Sequence, residues 1–471
     1  MLGKQENNTE LFQLVTMEDL VPVGHVLRRL NAVLDLSRVV AKVTDRYAKV
    51  GRPSYDPQVV VRIWVLQRLY GLSEREVCDE MRMHAGFRWF CGLSFNDAVP
   101  DQSTLVKLRT QKWEGTEFWQ ELLDETVRAC QAAGICKPDR MAIDGTLITA
   151  NAATVSLEEI EPELTLSVSE PVNTVQPPDP SPGPPPLTLE DGERKHDKHK
   201  SGDPDWHGEK FSNATHRSTT DPDARLYRKG HNCEAKLRYI GHYMADPDSG
   251  VIFGATATQA TGTAEREAAL TLLGGLKIKP QELIADLGYR DGEFLADVID
   301  LGIQPMVPIG DEPLETVPTY RRQTHDLKQQ LERAKKQRVA RARNQTRLAS
   351  RGGRGTRAQL RRTRMEHLFA EGKDHHGLDR ADGRGLNRVD QQVKMTAAVQ
   401  NLKRLLQARP KRRNVDQAAG EILVLCTDRQ ELSICRLRSR AARGGPIRLS
   451  GRHRYRTTIR HRRRPCCSSG F

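Results

Sequence analysis

Three carboxylates stand far apart in this 471-residue chain, each in a setting that suits phosphodiester chemistry. They are Asp144 in Ile143-Asp144-Gly145-Thr146, Asp286 in Ala285-Asp286-Leu287-Gly288-Tyr289, and Glu366, which opens Glu366-His-Leu-Phe-Ala-Glu-Gly-Lys373. Asp144 follows Met-Ala-Ile and Asp286 follows Leu-Ile-Ala, so each reads as the end of an apolar strand. A carboxylate there is costly unless it is paired, hydrated or metal-bound. Breaking a phosphodiester requires a deprotonated oxygen nucleophile on one side and charge neutralisation of the leaving oxygen on the other. Two divalent ions roughly 3.5–4 Å apart supply both. Magnesium binds oxygen and asks for only one or two protein carboxylates per ion. Three acids therefore suffice: Asp144 to bridge two Mg²⁺ ions, Asp286 to bind one and Glu366 the other, with Mn²⁺ able to substitute.

Arg362, Glu366 and Lys373 have R-x3-E-x6-K spacing, which on a helix puts Arg362 and Glu366 on one face, one turn apart. Arg362 and Lys373 are candidates for holding DNA phosphate; the competing reading of such a set is a surface ion pair. Asp144-Gly-Thr-Leu also resembles the phosphoaspartate motif of haloacid dehalogenase phosphatases. That chemistry needs a nucleophilic aspartate two residues earlier, where this chain has Ala142.

The elements that must carry these residues are legible in the spacing. Residues 57–70 read as a helix begun by Pro57 and ended by Gly71, and Ser73-Glu-Arg-Glu76 as a capping box that starts the next. Two helices around a short glycine turn fit a helix-turn-helix or an ordinary helical hairpin. Pro100-Asp-Gln-Ser103 reads as a loop and helix cap before a helix carrying Leu105, Leu108 and Arg109, another helix runs to Cys130, and the all-α region ends near 138. Strand-like spacing then begins at Arg140-Met-Ala-Ile-Asp144. Cys233–Met244 and Val251–Thr256 read as strands joined by the turn Asp246-Pro-Asp-Ser-Gly250. A helix over Thr263–Leu273, a strand over Glu282–Ala285, a helix over Asp291–Leu301 and a strand over Gln304–Ile309 follow. Three strands, helix, strand, helix, strand is the order of a ribonuclease H-like core. The expected fold is therefore α/β, a mixed five-stranded sheet with flanking helices, preceded by an all-α, helix-turn-helix-like domain. The domains expected are 15–138 and 139–410, the second interrupted by a Pro-rich insertion at 165–215 and a basic segment at 320–364.

Composition narrows the classes. No apolar run approaches the roughly 18–20 residues of a membrane span, so the chain is expected in the cytoplasm, associated with the nucleoid. The nine cysteines form no C-x-x-C pair and are expected as reduced thiols. Sixteen Lys/Arg crowd residues 320–364 against two acids, Asp326 and Glu332. The net charge of +13 comes largely from twelve arginines after Cys435; without them basic and acidic residues nearly balance. That tail, 411–471, fits a solvated DNA-binding arm and equally an out-of-frame translation of GC-rich DNA.

Taken together, Pro100-Asp-Gln-Ser-Thr104, Ile143-Asp-Gly-Thr146, Thr220-Asp-Pro-Asp-Ala-Arg-Leu226, Ala285-Asp-Leu-Gly-Tyr289, the Arg362/Glu366/Lys373 set and Asn401-Leu-Lys-Arg-Leu405 resemble a bacterial insertion-sequence transposase of the DDE type, in the superfamily of the IS-four and IS-five groups. The resemblance covers about residues 15–408. It implies cutting at terminal inverted repeats and joining of the freed 3′-hydroxyls to target DNA. The partners implied are double-stranded DNA at the element ends and at the target, and further copies of the chain in a homo-oligomer. Where the family has a tyrosine three residues before the arginine, this chain has Gln359. The alternative from another class is a transposase that only occupies DNA without cutting it; a host repair nuclease is a third reading.

Overall fold

Among the described residues eight α-helices come first in the computed structural model: α1 (Met17–Leu20), α2 (Val26–Val33), α3 (Ser37–Thr44), α4 (Pro57–Tyr70), α5 (Glu74–Met83), α6 (Ala85–Cys91), α7 (Gln102–Lys107) and α8 (Phe118–Ala132). The structure describes residues 16–48, 50–51, 53–160, 211–228, 234–308, 325–350 and 354–408, with the side chains of 325–327, 350 and 354–364 outside that description. The proline-rich centre of the expected insertion and the arginine tail lie outside the described residues, as does the side chain of Arg362.

Local chemistry sets the helix ends. The Gln58 amide donates to Asp56 Oδ1 at 2.8 Å, Pro57 occupies the first turn, and Gly71 closes α4 at φ +66°. A side chain at that φ would be strained, and a Cβ would also meet the His375 carbonyl at 3.0 Å. Ser73 and Glu76 form the reciprocal capping box of α5. α4 is buried nearly all round, with Trp64 against Trp113, Phe118 and Trp119. The outward residues of α5, among them Arg75, Glu76, Asp79, Glu80 and Arg82, are of mixed sign.

The rest of the chain runs β1 (Arg140–Thr149), β2 (Leu157–Glu159), β3 (His216–Ser218), β4 (Arg225–Tyr227), β5 (Lys236–Ala245), β6 (Ile252–Gln259), α9 (Ala264–Gly275), β7 (Glu282–Ile284), α10 (Gly292–Asp300), β8 (Gln304–Met306), α11 (His325–Ser350), α12 (Arg354–His376) and α13 (Leu386–Gln407). Among the described residues the main sheet has six strands rather than the expected five, in the order β4-β5-β1-β7-β8 with β6 also on β5. The extra strand arises because β5 is long: its first residues pair with β4 and the remainder with β6. β1 is antiparallel to β5 and parallel to β7, and β7 is parallel to β8. β2 and β3 form a separate pair.

Alternation splits the core across the sheet. Ala142, Tyr243, Ala245 and Ile284 join the helices α4, α8, α12 and α13 on one side. Met141, Ile143, Met244, Leu283 and Ala285 join α9 and α10 on the other. α13 lies along β6 and covers its outer edge with side chains. Asn401 pairs with both the amide and the carbonyl of Ile252 at 2.8 Å, and Asp390 accepts from the Ala257 amide at 2.9 Å. A strand edge closed in this way cannot template another chain.

Asp221 and Asp223 hold the start of α13. Asp221 Oδ1 accepts from the Gly385 amide at 3.0 Å and from Tyr239 Oη at 2.6 Å, and Asp223 accepts from the Leu386 amide at 3.0 Å. The first half of the basic segment is docked. Asn344 of α11 pairs with both backbone groups of Val307, Arg347 binds Glu282 at 2.9 Å, and Arg333 and Lys336 pair with Glu293 and Asp300 of α10. Lys328, Arg338 and Arg343 remain outward. Cys78, Cys91, Cys130 and Cys136 are buried free thiols. No described helix is long and apolar enough to cross a membrane.

Candidate active site

Asp144 lies in the middle of β1, not at its end as the apolar run suggested. β5 goes on pairing with β1, from Asp144↔Tyr243 to Thr149↔Arg238, after β7 has ended at Ile284. The early stop of β7 opens a notch beside Asp144, and Asp286 stands at its lip, two residues beyond the strand. Each aspartate is half-buried and fixed by a nearby backbone amide: Gly145 N to Asp144 Oδ1 at 2.8 Å, Gly288 N to Asp286 Oδ1 at 2.9 Å.

The two have one neighbour in common. Tyr289 is fully buried, and its pKa is driven far upward by that burial and by the carboxylates of Glu265, Asp144 and Asp286. Glu265, in the first turn of α9, is also raised, first by burial and then by Asp286. Sequence reading missed Glu265, because an acid in a helix's first turn needs no explanation beyond the helix dipole.

Glu366 is exposed on α12, between the buried Met365 and Leu368. One turn further on, Phe369 stacks on Tyr243 with ring centroids 4.8 Å apart, and Tyr243 is the residue opposite Asp144 in the sheet. α12 is thereby laid against the strand that bears Asp144. Two turns beyond Glu366, Lys373 lines a pocket of about 220 Å³ with Gly145, Thr146, Arg238 and Glu265. Lys373 also faces Asp379 at 3.9 Å. On the floor of the notch His242 is fully buried, and burial pushes its pKa down to about 3, so the ring is neutral. Its Nε2 shares a 2.7 Å hydrogen bond with Thr258 Oγ1.

Among the described residues no three ligands are already drawn together as a closed metal site. The donor set nevertheless suits a hard divalent cation. Carboxylates whose mutual repulsion raises a neighbour's pKa are relieved by such an ion, and magnesium sites leave several positions to water and substrate phosphate.

A mixed sheet of this strand order is consistent with a ribonuclease H-like core. Two family models match the chain: a transposase domain (DUF772) over residues 15–111 and a transposase DDE domain over residues 209–402. The chain belongs to the insertion-sequence DDE transposases, DNA-transposing enzymes of a family that generally uses divalent metal. Asp286, Glu366, Lys373 and Glu265 fall inside the matched DDE segment, and Asp144 lies between the two matches. No solved structure matches.

Proposed function

We propose that the protein binds the terminal inverted repeats of its own element, cuts the DNA there and joins the freed 3′-hydroxyls to target DNA. Asp144, Asp286 and Glu366 are the catalytic acids. The observation that carries this reading is that Asp144 and Asp286, remote in sequence, each follow by two residues the paired Ala142 and Ile284 of the adjacent parallel strands β1 and β7.

Asp144, Asp286 and Glu366 would hold two Mg²⁺ ions, or Mn²⁺ in their place, and the ions would supply an activated nucleophile and neutralise the leaving oxygen. Asp144 in β1 and Asp286 just past the end of β7, strands that pair in parallel, would contribute to the same site. Lys373 brings positive charge to the pocket beside Gly145 and so holds a phosphate next to the acids; Arg362, four residues before Glu366 in sequence, is the second DNA-binding residue of the proposal. Neutral His242 offers no charge there and serves the floor. Water is the first nucleophile and the DNA 3′-hydroxyl the second.

The division proposed is a DNA-end-binding, helix-turn-helix-like part at 15–138 and a catalytic part at 139–410, in a member of the IS-four/IS-five superfamily. The outward cations of α11 add phosphate contacts whose strength falls with salt. Two ends must be processed together, so the working form is a homo-oligomer on DNA in the nucleoid.

The test is cleavage and joining in Mg²⁺ on a plasmid carrying the gene with its natural flanks, for the parent chain and Asp286→Ala. Paired cuts at the flanking repeats by the parent, lost by at least about a thousandfold in Asp286→Ala, are the expected result. Binding without cuts in either protein would instead assign a transposase that only occupies its sites. Cuts placed without regard to the flanks would assign a repair nuclease.

A further inference from the structure

We propose that Glu265 is an additional carboxylate ligand of the divalent-cation site, supplied by α9 and reaching across the two segments that bear Asp144 and Asp286. The inference rests on the reading of those aspartates as cation ligands and adds a residue to it.

The spacing Thr263-Ala-Glu-Arg-Glu267 makes Glu265 and Glu267 look alike, two acids complementing a helix N-terminus. The structure separates them. Glu267 is exposed, whereas Glu265 is half-buried with its oxygens spread between two glycines. A Cβ added at Gly145 would lie 3.2 Å from Glu265 Oε1, and one added at Gly288 would lie 3.6 Å from Glu265 Oε2 and 3.0 Å from Asp286 Oδ1. Gly145 follows Asp144 directly, and Gly288 follows Asp286 after one residue. Neither has a positive φ, so neither is required by its backbone conformation. At Gly145 a side chain would crowd Glu265, and at Gly288 it would crowd Asp286 while only touching Glu265.

The neighbouring charge on α9 is matched: Arg266 binds Asp291 at 2.9 Å. Glu265 forms no ion pair among the described residues, and its Oε2 shares the space over Gly288 with Asp286 Oδ1.

Two further groups point to a ligand. Tyr289 Oη is fully buried, has no hydrogen-bond partner among the described residues and lies in the field of all three carboxylates. A buried hydroxyl without a partner costs about 1–3 kcal/mol, and this one is placed to donate to a ligand oxygen once the acids gather around an ion. His242 Nδ1, also fully buried and unpartnered, sits 3.3 Å from the same Gly145 point that Glu265 Oε1 approaches. An oxygen-rich notch lined by unused polar atoms is the setting a hard cation and its waters fill.

The experiment is Mn²⁺ binding to the full chain, read as free Mn²⁺ by electron paramagnetic resonance. It compares the parent, Glu265→Gln, Glu265→Asp, Gly145→Ala and Asp286→Asn, with far-UV circular dichroism to establish folding. Glu265→Gln is expected to bind at least about tenfold more weakly, as Asp286→Asn does, with Glu265→Asp between them. Gly145→Ala, which crowds Glu265 while keeping every carboxylate, is expected to weaken binding too, and it carries the test if the glutamine variant does not fold. Parent-like binding in Glu265→Gln and Gly145→Ala, with loss in Asp286→Asn, would overturn the role of Glu265 and leave the proposed function standing. Binding unchanged in every variant would overturn both.

Discussion

Glu265 and Glu371 are both half-buried glutamates on helices that flank the sheet, and their surroundings are opposite. Glu371 of α12 receives Lys403 Nζ at 2.5 Å, Arg404 Nη2 at 2.9 Å and Gln400 Nε2 at 3.3 Å, with His376 Nε2 at 3.8 Å. Burial works to raise its pKa, but the hydrogen bonds and charges of His376, Lys403 and Arg404 hold it well below the usual carboxylate range. Glu265 meets burial and the charge of Asp286, and both raise it. One acid is completed by its own chain and so fastens α12 to α13. The other is left in repulsion, and repulsion kept inside a folded protein points to a partner that arrives from outside.

The largest test of that contrast is a pair of substitutions in the metal-free protein. Glu371→Gln is expected to cost on the order of 3 kcal/mol in urea unfolding, because it leaves Lys403 and Arg404 without their acid. Glu265→Gln is expected to raise the midpoint instead, since it removes a repelled charge. Equal losses in both would erase the distinction.

A pH series sharpens it. The folded-state pKa of Glu371 is depressed, so its stabilisation is present above the ordinary carboxylate value of 4.5 and is lost as pH falls through the folded value. The folded-state pKa of Glu265 is raised, so its penalty is absent below 4.5 and grows as pH rises through the folded value. The stability differences of the two variants from the parent should therefore have opposite signs near neutrality and both shrink in acid. The smallest effect expected is that of Lys403→Met, about 1 kcal/mol by thermal unfolding, because Arg404 and His376 still serve Glu371.

Much of the framework could be read without the fold. Asp56, Pro57 and Gly71 mark both ends of α4, and Ser73 and Glu76 start α5, because caps act within one turn and their chemistry is local. The order β1, β5, β6, α9, β7, α10, β8 followed from changes of period, whereas the three-residue strands β2, β3 and β4 are too short to show one. The strand ends were less legible. Asp144 looked terminal because the apolar run stops there, yet a strand lasts as long as its neighbour pairs with it, and β5 pairs to Thr149. The Thr220-to-Leu226 motif could be noticed but not explained: Asp221 and Asp223 serve the amides of Gly385 and Leu386, partners no spacing rule reaches.

The sequence by itself determined that this chain carries isolated acids on an alternating strand and helix scaffold, because hydrophobic period and capping are written in consecutive residues. It singled out Asp144, Asp286, Glu366, Arg362 and Lys373 through their spacing and neighbours. Only the tertiary structure decided that Glu265 stands over Gly145 and Gly288, that Tyr289 lies under the carboxylates, and that Glu371 is neutralised by α13. Each of these depends on the distance between side chains from separate elements. Electrostatic character follows that distance and the burial around it, which sequence order does not encode.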